Sequence, residues 1–92
     1  MITLEDCIAF SGLTRKEVLA IAEHEHVPEI AAAAIGRYML KEPNGPEKIR
    51  DMIRDDIHAA LNRGDNNHAS ELLMVLRQFL ATHPEAKAPK PN

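Results

Sequence analysis

Aromatic side chains are nearly missing from this sequence. Phe10, Tyr38 and Phe79 are the three, and there is no tryptophan. A ring-lined sugar pocket or a base-stacking surface needs several rings together, so both are disfavoured. Cysteine occurs once, at Cys7. That excludes an intramolecular disulfide, and with it the framework of a small secreted domain. The four glycines are isolated from one another, and none builds a phosphate-cradling loop. Basic charge is also short, with 11 Lys and Arg against 14 Asp and Glu for a net charge of −3. Residues 1–43 are the more acidic part, with seven acids against four bases. Nucleic-acid binding requires clustered cations to neutralise phosphate, and they are not here. The opening MITLEDCIAF has no basic n-region and no long apolar run, so neither a signal peptide nor a membrane span is expected there. The expected location is the cytoplasm, with no membrane partner and no cofactor.

What the sequence does contain is helix punctuation. Apolar residues make up 45% of the chain and are spread along it, enough for one small core in 92 residues. Thr3 with Asp6 caps a short helix over about 4–10, and Gly12 ends it. The T-R-K-E stretch from Thr14 is a capping box that starts a second helix over about 15–25. Pro28 suits the first turn of a third helix, PEIAAAAIGRYMLK. The EPNGP turn, residues 42–46, precedes a fourth helix that Gly64 stops. Asp65 or Asn67 caps a fifth, ending near His83 because Pro84 follows. No strand signal exists anywhere. The predicted fold is all-α: a small bundle of four to five helices with a C-terminal antiparallel hairpin. It is one domain over 1–83, with a disordered Pro/Lys tail over 84–92.

Three-to-four spacing assigns the buried faces. In the second helix these are Val18, Ile21 and Ala22, with Leu19 beside them. In the third they are Ile30, Ala34, Ile35, Tyr38 and Met39. Ile49, Met52, Ile53, Ile57, Ala60 and Leu61 fall inward on the fourth. Ala69, Leu72, Leu73, Leu76, Phe79 and Leu80 do so on the fifth. The run LLMVL, residues 72–76, wraps more than one turn, so a single face cannot bury it. Leu72, Leu73 and Leu76 are expected to face the hairpin partner. Met74 and Val75 then point elsewhere, to the first three helices or to another molecule, and are the interface candidates.

The stretch AEHEHVPEI, residues 22–30, raises the question of a metal site. His24 and His26 sit about 200° apart on a helix and cannot share an ion. Glu23 and His26, at i,i+3, can. Glu-x-x-His is the inward-facing pattern of carboxylate-bridged di-iron bundles. Asp55/His58 and Asp65/His68 repeat the spacing, so Glu23, His26, Asp55 and His58 are the candidate ligands. Composition alone places an acid three residues before about one histidine in seven, since 14 of 92 residues are acids. Histidines at a helix C-terminus are favoured by its dipole, and Asp65 is wanted as a cap. The simpler reading of AEHEHVPEI is a solvated corner.

Other arrangements fit less well. The third helix offers four alanines and a lone Arg37 before Lys41, unlike a DNA-recognition helix. The hairpin NRGDNNHASELLMVL resembles a tetratricopeptide turn, but no second copy lies at a 34-residue period. The segments FSGLT, AIAEHEHVPEIAAAAIG and DDIHAALNRGDNNHASELL together resemble a group of small, uncharacterised bacterial all-helical proteins of unassigned function. That resemblance covers about residues 8–83 and implies a stand-alone bacterial cytosolic protein, with no site residue to transfer. The expected function is a non-catalytic protein–protein interaction module, with a homodimer as one form. The alternative is a helical metal-binding protein using the carboxylate/His pairs.

Overall fold

The computed structural model describes residues 1–87. Five α-helices follow one another: α1 (Leu4–Ser11), α2 (Arg15–Glu25), α3 (Glu29–Lys41), α4 (Gly45–Asn62) and α5 (Asn66–Thr82). A 3-10 turn, Pro84–Ala86, closes the described chain. No strand occurs among the described residues, and none of their helices is long and apolar enough to cross a membrane.

Helix starts follow from the capping chemistry. Thr3 and Asp6 form a complete reciprocal box at α1, as Thr14 and Glu17 do at α2. The Glu17 carboxylate accepts from the Thr14 N–H at 2.8 Å, yet the residue is only 2% exposed. Its cap is thus part of the packed α1–α2 corner. There Ser11 Oγ donates to the Ile8 carbonyl at 2.6 Å and accepts from the Leu13 N–H at 3.0 Å, which satisfies another buried polar group. Asp65 caps α5 through the His68 N–H.

α4 and α5 form the antiparallel hairpin, α2 and α3 pack on it, and α1 lies mainly on α3. Val18 and Ile21 of α2, Ile49 and Ile53 of α4, and Leu72, Leu76 and Phe79 of α5 make the centre of the core.

Two helical faces differ from the spacing-based assignment. α3 buries Ala32, Ala33, Gly36 and Met39, while Ile30, Ala34 and Tyr38 face outward. The reason is distance. A Cβ on Gly36 would collide with Leu13 Cδ1 and lie 3.1 Å from Ile21 Cδ1, so only the small-residue side of α3 fits this contact. On α5 the inward residues are Ala69, Leu72, Val75, Leu76 and Phe79, all within roughly 60° of Leu72 on the helical wheel. Leu73 lies about 100° away and is 47% exposed. Val75 takes its place because α5 packs on α2 as well as on α4. Leu19, expected beside the α2 core face, and Leu61, expected inside α4, are also exposed.

The expected tail boundary at residue 84 also moves. Ala86 is fully buried, and its carbonyl accepts from Arg50 Nη1 at 2.7 Å. Pro84–Ala86 therefore packs with α4 and α5 as part of the domain. The remaining expectation of disorder, from residue 88, lies outside the described residues.

Substitutions that leave a cavity separate these faces. Ile53→Ala, at a site 1% exposed, is expected to cost about 2–5 kcal/mol in urea unfolding. Leu73→Ala is expected to cost under about 1 kcal/mol. Equal losses would mean that α5 is rotated from the position described.

Candidate functional site

The C-terminal turn of α2 brings three helices together. Glu23 accepts from Nε2 of His68, which lies 2.7 and 2.8 Å from its two oxygens. A carboxylate only accepts, so in this contact Nε2 carries the hydrogen. His24 lies between two acids, with Nδ1 3.1 Å from Glu25 Oε2 and Nε2 3.7 Å from Asp55 Oδ2. α2 is thereby joined to α5 through one histidine–carboxylate contact and to α4 through another.

Those pairings use the residues that spacing alone had grouped differently. α2 ends at Glu25, and His26 is its C-cap in the left-handed conformation, φ 55° and ψ 48°, with its N–H donated to the Ala22 carbonyl. The i,i+3 relation of Glu23 and His26 requires helical backbone at both residues, and it is lost. Glu23 turns to α5, Asp55 meets His24, and His58 is exposed on α4. Among the described residues, no group of three or more His, Cys, Asp or Glu is arranged to hold a metal ion. The set Glu23, His26, Asp55 and His58 is not assembled.

Beside this cluster, Asp56 Oδ2 is buried without a hydrogen-bond partner. Burial raises the Asp56 carboxyl above its ordinary range; the charge of His24 opposes the rise, and Glu23 and Asp55 add to it.

A groove of about 300 Å³ runs between α2 and α5. Ala20, Leu72 and Val75 form its apolar floor, and Leu19 and Met74 stand along its walls. Met74 is 67% exposed, whereas Val75 is 7% exposed and belongs to the core. The two interface candidates therefore separate into a free side chain and a floor residue. The groove's ends differ in charge. Glu23 and His68 close one end, with Glu71 nearby, and Lys16 lies seven residues from Glu23 on α2, roughly 10 Å along the helix. Sequence reasoning missed Lys16, Leu19 and Glu71 as a group. Their signal was present as a stripe, 16-19-20-23 on one helix and 68-71-72-75 on another. Which two helices lie side by side is a tertiary fact.

No family of known proteins, no curated protein and no solved structure matches the chain.

Two measurements probe the corner. Left-handed backbone strains a residue that has a Cβ, so His26→Gly is expected to stabilise the fold by about 1 kcal/mol. EDTA is expected to leave the thermal midpoint unmoved. A loss on His26→Gly together with an EDTA-dependent midpoint would restore the ligand reading. Asp56 provides the second. An acid whose pKa is raised on folding favours the fold fully when protonated. That contribution falls as pH climbs from its ordinary value of 3.8 through the raised folded value. Asp56→Asn is therefore expected to raise the melting temperature at pH 7, with the gain vanishing near about pH 3. A gain that is independent of pH would rule out the buried charge as its cause.

Proposed function

We propose that this protein works through contact with other protein chains, carries out no reaction of its own, and pairs with a second copy through the α2–α5 groove. The observation that supports this most directly is Met74, 67% exposed beside an apolar floor. A large flexible thioether in that position is a natural contact residue, because it adapts its shape to an opposing apolar surface.

Charge selects the occupant. The groove is cationic at Lys16 and anionic towards Glu23 and Glu71. A second copy turned about a twofold axis across the groove would set each Lys16 against the acids of the other copy. Met74 and Leu19 would meet at the centre. A surface of this kind is self-complementary, as a twofold interface must be. Rim charges of this type contribute orientation and register more than affinity.

Sedimentation equilibrium tests the reading. The chain is expected to be dimeric at micromolar concentration. Met74→Glu and Lys16→Glu are each expected to weaken association by at least about tenfold, or about 1.4 kcal/mol. Lys16→Glu combined with Glu71→Lys is expected to restore part of it. A chain that stays monomeric throughout, or a dimer indifferent to both single changes, would exclude this interface.

A further inference from the structure

A second groove, of about 380 Å³, lies between α1 and α3 on other residues of the molecule. Its lining shares no residue with the α2–α5 groove. Ile2, Phe10, Ile30 and Tyr38 border it, each more than half exposed to solvent. Phe10 and Tyr38 are two of the chain's three aromatic residues. Aromatic side chains are enriched where protein surfaces meet, and a cluster of exposed large apolar groups on a small protein is unusual without a partner.

Arg37 and Lys41 also line this groove, and no acid does. Among the described residues the Lys and Arg side chains in ion pairs are Arg15, Lys48, Arg50 and Arg63. Arg37 and Lys41 stand outside them, one helical turn apart on an otherwise acidic chain.

We propose that the α1–α3 face binds a helical segment of another protein, apolar on one side and bearing carboxylates that meet Arg37 and Lys41. The dimensions suit such a segment. Positions 30, 34, 38 and 41 of α3 form a continuous stripe over twelve residues, roughly 16 Å or three helical turns. An amphipathic helix with apolar anchors at i, i+4, i+7 and i+11 presents a stripe of the same length. Charge disfavours the other occupants. Two copies joined through this face would offer no carboxylate to Arg37 and Lys41, because no acid lines it. An anionic membrane would be attracted by only two cations and repelled by a net charge of −3. Stable attachment of a peripheral protein draws on a larger basic patch or a second anchor.

Selection from a phage-displayed library of random 16-residue peptides, with the purified chain as bait, tests the proposal. The expected winners combine helically spaced Leu or Phe with Asp or Glu. A synthetic peptide of the winning sequence is expected to bind Phe10→Ser/Tyr38→Ser at least tenfold more weakly and Met74→Glu as well as the unaltered chain. Repeating the selection on Arg37→Glu/Lys41→Glu is expected to turn the preference from acidic to basic peptides. Such a reversal cannot come from misfolding. The proposal is overturned by any of four results: no enrichment over the blank surface, winners without acids, binding lost in Met74→Glu but kept in Phe10→Ser/Tyr38→Ser, or a preference unchanged by the charge reversal. Co-sedimentation with phosphatidylglycerol vesicles that depends on Phe10 and Tyr38 would likewise overturn it and assign the face to a lipid surface.

Discussion

The buried side of α3 is made of Ala32, Ala33, Gly36 and Met39, and Gly36 is the point where it meets Leu13 and, on α2, Ile21. With no Cβ at Gly36, the backbone of α3 can settle against Leu13 and Ile21. Val18 and Ile21 of the same α2 share one core with Ile53 of α4 and Phe79 of α5. The close approach at Gly36 also has a consequence on the far side of α3. A helix that buries its small residues must present its larger ones elsewhere, and Ile30 and Tyr38 stand in water for this reason.

A comparable constraint acts where charged groups gather. α2 ends against α4 and α5 with Glu23, His24, His68, Asp55 and Asp56 close together. Carboxylates crowded on one side would repel one another, and the histidines relieve this by pairing: His68 with Glu23, His24 with Asp55. Asp56 is left with a buried, unpartnered oxygen, and its carboxyl is raised accordingly. Of the histidines that suggest a metal site in the sequence, His68 pairs with Glu23, His26 caps α2 and His58 is exposed. Among the described residues no three His, Cys, Asp or Glu converge on one point.

Much of the fold was legible in the residues themselves. Thr3, Thr14 and Asp65 cap α1, α2 and α5 as their spacing predicts, and the EPNGP turn falls between α3 and α4. The cleanest spacing, on α4, placed Ile49, Ile53 and Ala60 inward correctly. The faces of α3 and α5 were less legible, because spacing fixes which residues share a stripe but not which stripe meets a neighbour. On α3 an apolar stripe and a small-residue stripe compete: of the larger side chains expected inward, Met39 is buried and Ile35 packs against the core, while Ile30 and Tyr38 are exposed. On α5 the run LLMVL offers apolar groups in nearly every direction, so Leu73 and Val75 could be exchanged without any local sign. The α2–α5 groove was half legible: Met74, an interface candidate in the sequence, lines it, while Lys16, Leu19 and Glu71 come together only when those helices lie side by side.

By itself the sequence determined the helices, their ends and the absence of strands among the described residues, because caps, prolines and turn residues act within a few positions of where they stand. Only the tertiary structure decided which side of each helix is buried, which acids meet which histidines, and where apolar side chains remain uncovered. Those outcomes depend on how near two helices can come. In this chain that distance is set by missing side-chain atoms at Ala32, Ala33 and Gly36 as much as by those present.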